Sequence, residues 1–321
     1  MEEEKQDLYK KEIDRLEEEL AELKKLPLLP GVHLEGFIKK LSDRIKDLAD
    51  RKHRAAWRAV KNSRHPKRPQ MLDYLNLIFD RFYELDGDRR TGDDKAIVCG
   101  LAAIEGETCI VIGHQKGHDT NERIYRNFGM ASPSGYHKAI RMMQLAEKFG
   151  FPVITFVDTP GAFPAIEAEE RNQGYAISSC ILKMLSIRVP TVAFIIGEGG
   201  SGGALALASA DRVYILKNAT YSVISPEGCA SILWKDAKMA PLAANALKLT
   251  SRDLLSLGIV DDVILEPMGG AQRNLAKVAM DMRNRVSSVI REYRSSGKDF
   301  DTGKRRNRYL SYGRDRIMGE N

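Results

Sequence analysis

The sequence has few cysteines and no apolar stretch long enough to cross a bilayer. Its 321 residues include four cysteines, and none forms the CxxC pair that many zinc and redox sites use. The acidic N-terminus, MEEEKQDLYKKEIDRLEEEL, has neither the apolar core of a secretory signal nor the arginine and serine content of a transit peptide. We therefore expect a cytoplasmic protein with buried thiols, no metal of its own and no membrane span.

Two common signatures of catalysis are missing around residues 197–203, where the chain reads GEGGSGG. No lysine follows these glycines, which excludes the phosphate loop G-x-x-x-x-G-K-[ST]. The six histidines all lie elsewhere in the sequence, so no local base serves Ser201 and we expect no nucleophile elbow there. The sequence favours chemistry that rests on backbone N–H groups.

The net charge of the chain is also small for its length. Fifty Lys and Arg against 44 Asp and Glu give a net charge of +6. This balance suggests an anionic substrate or partner but does not by itself indicate nucleic acid, and we expect no nucleic-acid partner.

The apolar pattern divides the chain into three regions. Residues 1–55 carry apolar side chains at helical spacing on both sides of LPLLPGVH, which predicts a helical hairpin or arm. Residues 56–296 are the predicted main domain, and residues 297–321 form a polar, basic C-terminal tail, which we expect to lie on the surface.

The main domain reads as an α/β fold. KAIVCGLAAIEG and TCIVIGHQ, joined at Glu105-Gly106-Glu107, predict a hairpin. FPVITFVDTPGA and VPTVAFIIGEGG are apolar strands that each run into a glycine turn and then a helix. Because parallel strands end at one edge of a sheet, we expect both turns to face the same cleft.

The five glycines between residues 197 and 203 have three possible explanations. A dinucleotide site would fit G-x-G-x-x-G, but the next strand ends at Lys217-Asn218 without an acidic residue for a ribose. Close packing of strand and helix would account for one or two glycines. An oxyanion site, with the free N–H groups of Gly202 and Gly203 at a helix start, would account for all of them and is the hypothesis that we favour.

Long segments of the chain resemble one enzyme family, the carboxyltransferase alpha subunit of bacterial acetyl-CoA carboxylase. The resemblance runs from about residue 34 to residue 313 and includes RHPKRP and the terminal YLSYG. The segments that carry it are DDKAIVCG, IGHQKG, RNFGMASPSGYHKAIRMMQLAEKF, PVITFVDTPGA, AEER, GEGGSGGALA and TYSVISPEGCASILWKDA. It implies the crotonase-like (ClpP/crotonase) fold, stacked ββα units with an N-terminal helical arm.

The resemblance also implies a function and partners. Such a subunit transfers the carboxyl group from carboxybiotin, held on a biotin carboxyl carrier protein, to acetyl-CoA, giving malonyl-CoA in the first committed step of fatty acid synthesis. It works in an α2β2 heterotetramer with a zinc-bearing beta subunit, and binds carboxybiotin on the alpha side. The resemblance makes Gly202 and Gly203 catalytic, because they hold the biotin ureido oxygen. The substrate-binding residues that we assign are Gly199, Gly200, Ser201, Thr159, Pro160, Gly161, Ala162, Ser225, Pro226 and Glu227.

The chain departs from the family pattern at Ala165, Glu167 and Asn172, where glycine is usual. If φ were positive at 165 or 167, the side chain there would cost roughly 1 kcal/mol or more. The departures keep open a related acyl-CoA carboxyltransferase or decarboxylase with another acyl specificity. A hydratase would need paired glutamates, for which Glu198 and Glu167 are the candidates, and the basic tail suggests a non-catalytic RNA-binding or regulatory subunit.

Four cations outside the glycine turns have open roles. Arg64, Lys67 and Arg68 are either a site for coenzyme A phosphates or the beta subunit, or a solvated basic loop. Lys116, in GHQKG, is a candidate substrate-binding cation near a strand end.

Overall fold

The apolar runs of the sequence form a mixed sheet in the computed structural model, which describes residues 2–25, 34–297 and 300–313, without the side chains of 2–10, 34–35 and 46–54. In these ranges the sheet has eight strands in the order β1-β2-β3-β4-β5-β6-β8, with β7 beside the end of β5. The strands are β1 Arg81–Glu84, β2 Ile97–Ile104, β3 Glu107–His114, β4 Val153–Thr159, β5 Thr191–Gly200, β6 Arg212–Leu216, β7 Thr220–Ser222 and β8 Asp262–Ile264.

The predicted hairpin is confirmed and joins an antiparallel part of the sheet to a parallel part. β2 and β3 pair antiparallel, and Glu105 and Gly106 take positive φ values of 51° and 79° at the turn. From β3 through β4, β5 and β6 to β8 the pairs are parallel. β4 and most of β5 are buried, as expected of central strands covered on both faces.

Helices cover the sheet and connect its parallel strands. α5 packs on β2 and β3 and against α7, while α8 packs on β4 and β5, and α12 lies against α3 and β8. The helices are α1 Glu2–Leu23, α2 Leu34–Ser63, α3 Met71–Ile78, α4 Thr120–Tyr125, α5 Pro133–Phe149, α6 Ile166–Glu170, α7 Gln173–Ser186, α8 Ser201–Ala208, α9 Pro226–Trp234, α10 Ala240–Ala246, α11 Ser251–Ser256, α12 Leu275–Ser295 and α13 Thr302–Ser311.

The chain divides into two units drawn from separate segments. The smaller unit comprises Met1–Arg58 and Pro226–Leu247, and the larger one comprises Ala59–Ser225 and Lys248–Asn321. In the smaller unit, an ion pair of 3.3 Å between Glu12 and Arg44 joins the two long helices α1 and α2. The predicted interruption at LPLLPGVH, residues 26–33, lies outside the described residues. The division of the chain after residues 55 and 296 stays a prediction.

Part of the basic tail is a helix fixed to the larger unit by a buried arginine. Arg305 in α13 is 1% exposed and donates five hydrogen bonds, two to the Asp211 carboxylate and three to the carbonyls of Met184, Ile187 and Val189. Arg308 lies 2.7 Å from the carboxylate of Asp261. The tail therefore holds more structure, from residue 300 to 313, than its polar composition suggests, and residues 314–321 lie outside the described part.

Candidate active site

The two glycine turns lie side by side at the carboxyl edge of β4 and β5, as the strand pattern predicts. Thr159 at the end of β4 is paired with Gly199 near the end of β5. After Thr159, the backbone of the first turn lies against the start of α8. A side chain at Gly200 would meet the Pro160 carbonyl, and a side chain at Gly203 would meet the Ala162 N–H. The Thr159 hydroxyl donates to the Gly161 carbonyl at 2.6 Å, which folds the first turn.

Packing explains more of the glycines than the sequence suggested. An ideal Cβ would lie 2.2 Å from Asp158 Oδ1 at Gly197, 2.8 Å from Tyr221 at Gly199, 2.1 Å from Pro160 O at Gly200 and 2.9 Å from Ala162 N at Gly203. The expectation that packing accounts for one or two of the five was therefore wrong, because four have no room for a side chain. Gly202 is different, since its nearest neighbour would be the Ile177 side chain, 3.2 Å away.

Gly202 and Gly203 occupy the first turn of α8, directly after Ser201. N–H groups at these positions have no carbonyl four residues earlier within the helix and carry the positive end of its dipole. Within the described part of the chain, neither N–H donates a hydrogen bond outside α8. Both amides thus lie at a helix start without an acceptor outside α8 among these residues, and their role as an oxyanion site stays a prediction.

The expectation that this turn holds no nucleophile elbow needs a correction. Residues 199–203 do fit G-x-S-x-G, and Ser201 has the positive φ, 50°, of a sharp strand-to-helix turn. No hydrogen bond joins Ser201 to a histidine among the described residues. Burial lowers the pKa of His114 to about 3, and His118 contacts Asp73 at 3.0 Å. The backbone is elbow-like, but the base that a serine nucleophile needs is not in place.

An apolar cavity of about 330 Å³ opens beside Gly202. Tyr309 and Tyr312 of α13 form part of its wall, and the Tyr309 hydroxyl is held by the carbonyls of Ala208 and Ala210, 3.0 Å from each. The lining residues are Ser201, Gly202, Leu205, Ala208, Val213, Tyr221, Ser222, Val223, Leu254, Ile259, Tyr309 and Tyr312. Sequence reasoning assigned no role to the two α13 tyrosines, although YLSYG belongs to the resemblance and was the available signal.

A second cavity of about 250 Å³, lined by Pro160 and by charged residues, lies at the same strand ends. Lys116 Nζ lies 2.7 Å from Asp158 Oδ1 and 2.8 Å from Glu198 Oε2, and Arg64 Nε lies 2.6 Å from Glu198 Oε1. Burial opposes the charge on Lys116, but the two carboxylates outweigh it and hold the pKa of the ammonium above its ordinary value. Carboxylates of this chain therefore neutralise Lys116, which was a candidate substrate cation.

Of the three cations Arg64, Lys67 and Arg68, Arg68 does not lie in a solvated loop. This side chain is 3% exposed, lies 2.6 Å from a Glu266 oxygen and donates to the Ile196 carbonyl. Burial weakens the guanidinium charge, but Glu266 outweighs it, and the pKa of Arg68 stays raised. Arg68 is thus a structural ion-pair partner at the end of β5, and its charge is not available to a phosphate.

The paired-glutamate site of a hydratase does not form from Glu198 and Glu167. Burial favours the neutral form of Glu198, but Lys116 and Arg64 outweigh it, so the pKa of Glu198 stays below its ordinary value. Glu198 is therefore ionised near neutral pH and already accepts from two cations. Glu167 lies exposed in the first turn of α6.

The family departures do not strain the backbone where we expected. Ala165 has φ of −101° and Glu167 is helical. Neither residue has a positive φ, so neither side chain carries the backbone strain that a positive φ would cause. Asn172, in contrast, has φ of 62° and ψ of 55°, the left-handed conformation that asparagine tolerates best after glycine.

Substitution of Asn172 tests this conformation. We expect Asn172→Ala to lower the free energy of unfolding by about 1 kcal/mol, because a Cβ without a compensating polar group disfavours the left-handed region. Asn172→Gly should stay within a few tenths of a kcal/mol of the wild type. Urea unfolding of both variants measures the difference, and equal stabilities for alanine and glycine at 172 would contradict the assignment.

The remaining predicted site residues are spread over both units. Ser225 ends the segment of the larger unit, while Pro226 and Glu227 begin α9 in the smaller one. Their binding role stays a prediction.

The four cysteines are buried, and the described residues contain no group of three His, Cys, Asp or Glu side chains arranged for a metal ion. In the same part of the chain, every helix is too short or too polar to cross a bilayer.

The sheet order and the glycine turn at the carboxyl edge define a crotonase-like α/β fold of stacked ββα units with an N-terminal helical arm. Two solved structures share it. The transcarboxylase 12S core superposes with a TM-score of 0.57 at 20% identity, over 70% of this chain and 41% of that one. A Pseudomonas malonate decarboxylase hetero-tetramer in complex with coenzyme A gives a TM-score of 0.57 at 15% identity, over 77% and 97%.

Sequence comparison then gives the family. The model described as acetyl co-enzyme A carboxylase carboxyltransferase-like matches residues 7–313, and the chain belongs to this family. The acetyl-coenzyme A carboxylase carboxyl transferase subunit alpha of a Thermus thermophilus strain is 48% identical over 307 residues, which is 95% of this chain and 97% of the relative. The subunit of the same name from Aromatoleum aromaticum is 54% identical over 258 residues, 80% of each chain.

Proposed function

We propose that this chain is the alpha subunit of the acetyl-CoA carboxylase carboxyltransferase, which transfers a carboxyl group from carboxybiotin to acetyl-CoA and yields malonyl-CoA. The observation that carries the proposal is Gly202, whose N–H stands at the start of α8 on the wall of an apolar cavity. Family membership supplies the reaction for which this arrangement is suited.

The residues around Gly202 fit a compact, uncharged ring system. The cavity of about 330 Å³ is walled mostly by aliphatic and aromatic side chains, and none of its lining side chains is charged. When bound, carboxybiotin supplies the transferable carboxyl group. The N–H groups of Gly202 and Gly203 donate to the oxygen on which negative charge develops, and a donor of this kind contributes roughly 2.7–4 kcal/mol.

The other residues of the two turns hold these donors in place. Pro160 lies against Gly200 and Ala162 lies against Gly203, so the turn after β4 packs closely against the start of α8. Gly199 and Gly200 pair with Tyr221 and Ser222 of β7 on the other side. With both sides fixed, the amides need no reorganisation when charge develops, which is the condition for electrostatic catalysis.

The proposal includes the partners. A carboxyltransferase alpha subunit acts with a beta subunit, and we propose a zinc-bearing one in an α2β2 heterotetramer, served by a biotin carboxyl carrier protein in the cytoplasm. Acetyl-CoA binds mainly on the beta side. An RNA-binding role is less well supported, because Arg305 and Arg308 of the basic tail are paired with Asp211 and Asp261.

Reconstitution tests the proposal. We expect malonyl-CoA to form only when this chain, the zinc-bearing beta subunit of the same organism and carboxybiotin on its carrier protein are combined. Transfer of label into malonyl-CoA, from carboxybiotin whose carboxyl group was labelled beforehand, measures it, with propionyl-CoA in parallel for the acyl specificity. Hydration of an unsaturated acyl-CoA, or decarboxylation of malonyl-CoA without biotin, by the chain alone would replace this function by a rival.

A further inference from the structure

A largely buried ion cluster lies at the ends of β4 and β5, next to the two glycine turns. It consists of Lys116, Asp158, Glu198 and Arg64, and we call it the Lys116 cluster. The Lys116 ammonium bridges the two carboxylates at 2.7 and 2.8 Å, and the Asp158 side chain also accepts from the Glu198 backbone N–H at 2.9 Å. The side chains of Lys116, Asp158 and Glu198 are 16%, 4% and 14% exposed.

The rest of the chain makes room for this cluster. A Cβ at Gly197 would lie 2.2 Å from the Asp158 carboxylate, and a Cβ at Gly129 would lie 2.7 Å from Lys116 Cγ. Gln70 accepts from the backbone N–H groups of Lys116 and Gly117 at 3.0 and 2.7 Å, which fixes the loop that carries the lysine. Three separate segments thus lie against Lys116 or its partner Asp158.

Burial of the charged side chains of Lys116, Asp158 and Glu198 carries a desolvation penalty, which a role beyond stability would explain. Apolar residues of similar volume are often at least as stable as a buried ion pair, so the cluster is weak evidence for a contribution to stability alone. Its position is specific, however. Asp158 immediately precedes Thr159-Pro160-Gly161, and Glu198 immediately precedes Gly199-Gly200, so one lysine ties the last residues of β4 to those of β5.

We propose that Lys116 is a positioning residue, whose ammonium sets the spacing of the two turns and thereby the orientation of the Gly202 and Gly203 amides. This inference rests on the proposed carboxyl transfer. Lys116 contacts neither amide, and it acts through Asp158 and Glu198. Loss of the ammonium leaves Asp158 without a cation and Glu198 paired with Arg64 alone, so that repulsion between the two carboxylates should move apart the strand ends that they precede.

Lys116→Met removes the charge and keeps most of the volume. In the reconstituted complex we expect turnover to fall by about 10²-fold, the loss that a displacement of about 1 Å at a reacting centre causes, with KM for acetyl-CoA changed by less than about threefold. Hydrogen–deuterium exchange of the peptide over residues 197–205 should be faster in the variant. Lys116→Arg, which keeps the charge, should recover turnover to within about tenfold of the wild type.

Lys138→Met is the matched control, since Lys138 is also a lysine paired with a carboxylate, Asp93 at 2.5 Å, and at 1% exposed it is more deeply buried than Lys116, but it forms no ion pair with either turn. It should lower the melting temperature while turnover and exchange at 197–205 stay near wild type. Wild-type turnover and exchange in Lys116→Met, or equal losses of turnover in both methionine variants, would overturn the positioning role. If the wild-type complex makes no malonyl-CoA, the proposed function fails, and the exchange measurement still decides on Lys116.

Discussion

Replacement of Gly202 by valine is expected to abolish most carboxyl transfer while the protein stays folded. The side chain would stand beside the N–H groups of the first turn of α8 and keep an oxygen from reaching them. Loss of one such donor lowers turnover by about 10²–10³-fold. Only the Ile177 side chain lies close, 3.2 Å from the new Cβ, and a side chain can move by a few tenths of an ångström.

Turnover of malonyl-CoA formation in the reconstituted complex measures this effect, and the melting temperature shows that the fold is kept. Gly200→Val is the contrasting variant, because a Cβ there would lie 2.1 Å from the Pro160 carbonyl oxygen, which is backbone and cannot yield. It should lose stability and activity together. A folded Gly202→Val complex with turnover within about tenfold of the wild type would exclude the Gly202 amide as the oxyanion donor.

Arg305→Met is expected to have the largest effect on stability. It removes five hydrogen bonds, leaves the Asp211 carboxylate with its bonds from Thr191 alone and takes the arginine donor from three carbonyls. Removal of one member of a buried pair typically costs about 3–5 kcal/mol, and the 19% exposure of the Asp211 side chain places the expected loss near the lower end of that range. Since α13 also carries Tyr309 and Tyr312, the wall of the apolar cavity should loosen as well.

Urea unfolding of the two arginine variants of α13 checks this expectation. Arg306→Met is the control, because Arg306 is the next residue of the same helix and its side chain is exposed. It should change the free energy of unfolding by no more than about 0.5 kcal/mol. A loss below about 1 kcal/mol in Arg305→Met would show that the buried guanidinium does not anchor the C-terminal helix.

Local patterns predicted the elements that a short segment specifies by itself. The hairpin follows from two apolar runs around Glu105-Gly106-Glu107, and its turn has the positive φ values that such a turn requires. The apolar strand β4 ends at the first residue of TPGA, β5 runs through GEGG to Gly200, and the rule for parallel strands placed both strand ends at one edge. The backbone donors of the candidate site were predictable for the same reason, since they depend on a strand end and a helix start.

By itself, the sequence determined the fold class, the family and the position of the glycine turn. Only the tertiary structure decided what each residue of that turn is for, since Gly197 is small because of Asp158 and Gly200 because of Pro160, whereas Gly202 faces a cavity. It also decided that Lys116 is neutralised by Asp158 and Glu198, and that tyrosines about 100 residues away wall the cavity beside α8. The physical reason is that strands and helix starts arise from neighbouring residues, while spacing, burial and charge compensation depend on contacts between segments that only the folded chain brings together.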